Sequence, residues 1–123
     1  MKDCLFCNIS KDEIVCETEL FLAKWDSYPV NKGHLLIIPK RHFESYFDMY
    51  WKEAHILLPF IRHCKKIIDN QYKPDGYNLG INIGEDAGQT IFHLHIHLIP
   101  RYKGDVENPK GGIRNLKKAL VDY

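Results

Sequence analysis

Imidazoles at every second position of one stretch can hold a metal ion or attack phosphorus, and residues 90–101 carry three of them. The stretch reads Thr90-Ile91-Phe92-His93-Leu94-His95-Ile96-His97-Leu98-Ile99-Pro100-Arg101, in a chain of 123 residues with seven histidines. As a β-strand it would turn His93, His95 and His97 to one face and Leu94, Ile96 and Leu98 to a core. Neighbouring rings would stand roughly 6.5–7 Å apart, so a phosphate-sized group could touch two at once. A lone strand histidine is usually a hydrogen-bonded core residue; three in strict alternation ask for a shared role. Neutral imidazole binds zinc and its relatives. It also serves as a nucleophile toward phosphorus while its neighbours hold the anionic oxygens. Gly88-Gln89-Thr90, just before the triad, and Asn82 supply the donors a phosphate needs.

Such local donors matter because the chain has no overall field. Seventeen Lys and Arg balance sixteen Asp and Glu, for a net charge of +1, which excludes a nucleic-acid backbone or a membrane surface as the expected partner. No apolar run follows the first residues as in a signal peptide, and none approaches the ~20 residues of a membrane span. A cytoplasmic protein is the expectation. Its four cysteines then read as thiols or metal ligands before disulfides. Cys4-Leu5-Phe6-Cys7 admits three meanings: a redox pair, which lacks the preceding strand; half of a zinc site, which needs two more ligands; or two incidental apolar cysteines. Cys16 and Cys64 have no partner pattern and read as small core or surface residues.

The elements that must carry these groups are legible in outline. Ile14–Glu17 and Leu20–Lys24 are short, half-apolar extended segments, and 25–33 is a loop marked by Pro29, Asn31 and Gly33. His34–Pro39 is a continuous apolar strand covered on both faces. Phe43–Tyr50 reads as a helical turn plus loop. From Trp51 to Gln71 the spacing of Ile56, Leu57, Phe60, Ile61, Cys64, Ile67 and Ile68 predicts the main helix, lying across the sheet, with a kink or break near Pro59. Tyr77–Ile83 alternates as a strand, and a Gly-bracketed loop at 84–89 leads into the histidines, making the two strands antiparallel neighbours. Asn115–Leu120 reads as a last helical turn. Length and pattern give one domain over 1–123.

Together these residues resemble a known family. His93-Leu94-His95-Ile96-His97-Leu98-Ile99 matches the histidine-triad (HIT) pattern. Cys4-Leu5-Phe6-Cys7, Gly33-His34 through Pro39-Lys40-Arg41-His42, Gly88-Gln89-Thr90 and Pro100-Arg101-Tyr102-Lys103-Gly104-Asp105 fall in the family's order and spacing. The resemblance covers nearly the whole chain and looks closest to the short bacterial branch that includes dinucleoside polyphosphate hydrolases. It implies an α+β fold, an antiparallel sheet of about five strands with one long helix, and a homodimer with the helix and a sheet edge at its interface. It implies hydrolysis or transfer at the α-phosphorus of a nucleotide substrate. His95 would form a nucleotidyl-histidine intermediate. His97 would bind the α-phosphate and orient His95 through its backbone carbonyl.

The same resemblance sets Asn82, Gly88, Gln89 and Thr90 near the phosphate, Asp26 at the ribose hydroxyls and His34 behind the triad. By residue type alone Asp26 is equally a loop cap and His34 a strand-end core residue. Phe6, Phe21, Leu22 and Ile37 are apolar candidates for a base pocket. Cys4, Cys7, His42 and His93 would bind structural Zn2+, a closed set with no open position for water; no organic cofactor is implied. Dinucleoside polyphosphates lead as substrates, because Pro100-Arg101 follows the triad where the phosphoramidase branch carries glycines. Adenosine phosphoramidates or aminoacyl-adenylates come second. A reading of another class is a non-catalytic, zinc-stabilised nucleotide-binding or interaction module.

Overall fold

Five strands pair antiparallel in the computed structural model, which describes residues 1–117. They are β1 (Cys16–Glu17), β2 (Phe21–Trp25), β3 (Leu35–Pro39), β4 (Gly76–Gly80) and β5 (Ile96–Arg101), in the spatial order β1-β2-β3-β5-β4. One long helix, α1 (Trp51–Tyr72), connects β3 to β4. The α+β architecture is thus the expected one, and every residue of β3 is buried, as its unbroken apolarity requires. Among the described residues no helix is long and apolar enough to cross a membrane.

The helix lays Leu57, Phe60, Cys64 and Ile68 on Phe21, Ala23, Leu35, Ile37, Ile96 and Leu98, each large side chain contributing about 1.5–3 kcal/mol by leaving water. Phe21 and Phe60 stack at 6.2 Å between centroids. Two expectations fail here: a break of the helix near Pro59, and a base pocket lined by Phe21 and Ile37. The helix runs unbroken through Pro59; Pro59 and His55, whose carbonyl the proline cannot serve, lie on the exposed side, where water can satisfy the orphan. Phe21 and Ile37 cannot line a base pocket, because strand alternation sends them under the helix. Leu22, Leu36 and Ile38 face the other way and pack with Phe6.

Two contacts fix the helix to the sheet. Glu53, in its first turn, is 1% exposed; its carboxylate accepts from the Tyr50 N–H at 2.8 Å and from Arg41 at 2.9 and 3.1 Å. Burial opposes its ionisation, but Arg41 and that N–H outweigh the penalty and hold the carboxyl below its ordinary range. The Arg41 guanidinium lies over Phe43 at 4.0 Å and Tyr50 at 3.6 Å. At the far end Gly33 has φ +88°, and a Cβ there would stand 2.8 Å from Tyr72 Cδ2. Only glycine fits both demands.

The triad does not form one strand. β5 begins at Ile96, so only His97 belongs to it. Continuing the β3–β5 register would set Leu94 opposite Pro39, which has no N–H to give. Leu94 instead donates to the Phe43 carbonyl at 2.7 Å, and the chain carrying His93 and His95 bends toward residues 42–43. β4 ends at Gly80, shorter than the predicted 77–83. The last helical turn is 3-10, at Gly112–Asn115, ahead of its expected place; residues 118–120 of that expectation lie outside the described residues.

Candidate active site and metal centre

Each triad histidine has one nitrogen committed, and that commitment decides what the other can do. His95 Nδ1 donates to the His93 carbonyl at 2.9 Å, which leaves a bare lone pair on Nε2. The orienting carbonyl is therefore that of His93, not that of His97 as the family resemblance implies; the bend before β5 brings it within reach. His97 Nδ1 lies 2.9 Å from His34 Nε2. His34 Nδ1 accepts from the Val30 N–H at 3.0 Å, so its proton sits on Nε2 and is donated to His97. The His97 Nε2–H is then a donor free for an anionic oxygen. Asp26 closes this chain, with Oδ2 3.3 Å from His34 Nε2 and Oδ1 accepting from the Tyr28 N–H at 2.8 Å.

Burial and the neighbouring His95 and His34 push the His97 pKa down to about 4, against a smaller pull from Asp26. Burial likewise lowers that of His34, with Asp26 opposing. Both rings are neutral near pH 7, as a hydrogen-bond relay requires. The His95 and His97 ring centroids are 5.3 Å apart, nearer than the strand estimate, and Phe6 meets the His95 ring edge-on at 5.0 Å. Phe6 is thus a wall behind the His95 ring.

A cleft of about 440 Å³ opens beside the His34 and His97 rings, within the range of small-molecule sites; His95 reaches it only through its contact with His97. Asp26, His34, Asn82 and His97 line it together with Tyr28, Val30, Leu79 and Ile81. Gln89 is engaged elsewhere. Its carbonyl accepts from the Gly84 N–H, and its amide donates to the Glu44 and Ile91 carbonyls, which ties down the loop that leads to the triad. Gly88 caps the turn of that loop at φ +95°, and Thr90 is exposed on the side of His42 and Cys4. Arg101 is bound by both oxygens of Asp105 and by Asn78, and Asp105 also accepts from Asn31. The segment after β5 is thereby fastened to the sheet. Arg101 holds the Asp105 carboxyl well below the usual carboxylate range.

A second cluster lies behind the first. His93 Nε2 donates to the Pro39 carbonyl at 2.7 Å, so its Nδ1 lone pair faces Cys4 Sγ at 3.4 Å, Cys7 Sγ at 3.5 Å and His42 Nδ1 at 3.2 Å. His42 Nδ1 is 3.3 Å from Cys7 Sγ. Zinc bonds of about 2.0–2.1 Å to nitrogen and 2.3 Å to sulfur place tetrahedral ligands about 3.3–3.8 Å apart. The four donors fit that ion. The Pro39 carbonyl supplies the outer hydrogen bond that fixes the tautomer of a ligating histidine.

The HIT domain model matches residues 8–104. An uncharacterized HIT-like protein of Methanocaldococcus jannaschii is 43% identical over 120 residues, covering 92% of this chain and 91% of its own. An AP-4-A phosphorylase of Mycobacterium tuberculosis is 36% identical over 89% of this chain and 57% of its own. The adenosine 5'-monophosphoramidase of Schizosaccharomyces pombe is 37% identical, over 80% and 74%. Among solved structures, a HIT family member from Bacillus subtilis superposes with a TM-score of 0.77 at 37% identity, covering 84% of this chain and 76% of its own. A zinc-bound histidine triad protein from Mycobacterium smegmatis does so at 0.74 and 28%, covering 94% and 91%.

Proposed function

The chain belongs to the HIT family, whose members hydrolyse or transfer nucleotides, and from that premise we propose that it cleaves a nucleoside 5′-phosphoryl bond at the α-phosphorus. His95 Nε2 attacks phosphorus, and the P–O bond to the leaving group breaks as the P–N bond forms. His97 Nε2–H holds a phosphoryl oxygen, its tautomer set by His34 and Asp26. Water then attacks the nucleotidyl-histidine, the P–N bond breaks, and a nucleoside monophosphate leaves with His95 restored. The observation that carries this reading is the His95 Nδ1–H bond to the His93 carbonyl, which leaves the attacking lone pair beside His97. Asp26 and Asn82, on the cleft wall, are assigned to the ribose and phosphate. Gly88 and Gln89 shape the loop that presents the triad, and Thr90 is assigned near the phosphate.

Dinucleoside polyphosphates are the proposed substrates. Pro100-Arg101 supports this choice, as does the relative named an AP-4-A phosphorylase. The relative named an adenosine 5'-monophosphoramidase supports phosphoramidates as the second reading. Presenting a diadenosine polyphosphate and an adenosine phosphoramidate in parallel, and following AMP release, separates the two. Turnover of neither would leave the non-catalytic nucleotide-binding module. His95→Ala should abolish turnover of whichever is used; equal rates in both proteins would remove His95 as the nucleophile.

Zinc is proposed on Cys4, Cys7, His42 and His93. When bound it would cross-link the N-terminus to the sheet without an open coordination position. A cytoplasmic homodimer completes the proposal. Trp51 and Leu58 on the helix and Leu79 on the outer strand β4 stand exposed, as an interface on that edge needs.

A further inference from the structure

The histidine face uses two of the four cysteines; the other two meet on the opposite face of the sheet. Cys16 lies in β1, paired with Ala23, and Ala23 belongs to the core beneath the helix. Cys64 sits in the interior of α1 and is fully buried, whereas Cys16 is partly open to solvent. Their sulfurs are 3.7 Å apart, though the residues are 48 apart in sequence. Both are free thiols.

We propose that Cys16 and Cys64 form a reversible, peroxide-driven disulfide that staples the edge strand β1 to the long helix. The two sulfurs already touch, so closure needs side-chain movement of the order of one to two ångströms, to the ~2.05 Å bond. The solvent-reachable member is Cys16, and it is also the more readily ionised: its hydrogen bond with Cys64 lowers its pKa and raises that of Cys64, burial adding to the latter. In the first step the Cys16 thiolate attacks one oxygen of hydrogen peroxide. The O–O bond breaks, and the leaving hydroxide takes up the thiol proton as water, giving Cys16 sulfenic acid. In the second step Cys64 attacks the Cys16 sulfur. The S–O bond breaks, and the leaving hydroxide carries off the Cys64 proton as a second water. Two thiols are oxidised and one peroxide is reduced. A dithiol reductant restores the pair.

The test uses the full, zinc-replete chain. It is treated with hydrogen peroxide, unfolded with N-ethylmaleimide to block remaining thiols, digested without reductant, and read by mass spectrometry. The expected main oxidised product joins the peptide bearing Cys16 to that bearing Cys64, two hydrogens lighter than the sum of the free thiol peptides, and it disappears with dithiothreitol. Cys64→Ser should leave a sulfenic acid on Cys16 that dimedone traps. Blocked, unlinked Cys16 and Cys64, or a link confined to Cys4 and Cys7, would overturn the pairing. A Cys64→Ser protein without a dimedone adduct on Cys16 would overturn the order of steps.

Discussion

The division of labour among the histidines is written in their second nitrogens. His93 gives its Nε2–H to Pro39 and turns Nδ1 to Cys4, Cys7 and His42; His95 gives its Nδ1–H to a carbonyl and keeps a lone pair on Nε2. His97 receives at Nδ1 from His34. Replacing His34 by leucine leaves His97 Nδ1 without its donor and frees the wrong tautomer. The lost bond costs about 1–3 kcal/mol, so kcat/KM should fall about 5- to 150-fold, while the fold and the proposed zinc content stay as in the wild type. Unchanged kinetics would show that His97 finds its tautomer without His34. Neutral His97 also ties stability to pH. Its proton is accepted at about pH 4 in the fold and near 6.5 once unfolded, so the unfolded chain binds the extra proton between these values. Stability from this group is complete above about pH 6.5 and declines toward pH 4, by about 3 kcal/mol in all. Denaturant titrations across that window should show a fall in stability from pH 6.5 to pH 4 that is larger by about 3 kcal/mol in the wild type than in His97→Gln, which cannot titrate there.

At the scale of elements, the site depends on where α1 and β3 meet. Arg41→Ala strands the Glu53 carboxylate in the interior. Breaking a buried pair costs ~3–5 kcal/mol, and because Arg41 is itself about a third exposed the loss belongs at the lower end. Adding Glu53→Met should recover part of it, which urea denaturation of the single and double variants would measure. Gly33→Ala tests the other end of the helix. Its Cβ meets Tyr72 and Ile68, and its left-handed φ is unfavourable for alanine, so a loss of about 1–3 kcal/mol should appear together with weaker substrate binding, since His34 follows directly. A melting temperature equal to the wild type would mean that Tyr72 moves aside freely.

For the whole molecule, the zinc proposal and the catalytic proposal part company. Metal removal by a chelator, or Cys7→Ser, should release about one zinc per chain and lower the melting temperature, while the residual folded protein keeps a kcat within a few-fold of the wild type. Protein prepared without chelator and carrying no stoichiometric zinc would count against the site. Equilibrium sedimentation should give twice the chain mass; a monomer at micromolar concentration would leave the exposed Trp51, Leu58 and Leu79 without the proposed partner.

The sequence by itself determined what depends on residue type and short spacing. Periodicity is local, so the helix from Trp51, the buried strand β3 and the polar loops could be read directly. The three histidines also lay in the motifs, and the candidate metal donors in the family resemblance those motifs carry. Tertiary structure decided what depends on chain segments far apart. Pro39, opposite Leu94, stops the β3–β5 ladder and splits the triad between a bend and a strand. Only that bend puts the His93 carbonyl under His95. Which faces Phe21 and Ile37 occupy, that Glu53 is buried by Arg41, and that Cys16 touches Cys64 across 48 residues are likewise set by packing. A hydrogen-bond tautomer or a thiol contact has no signature in one segment, because its partner arrives from another.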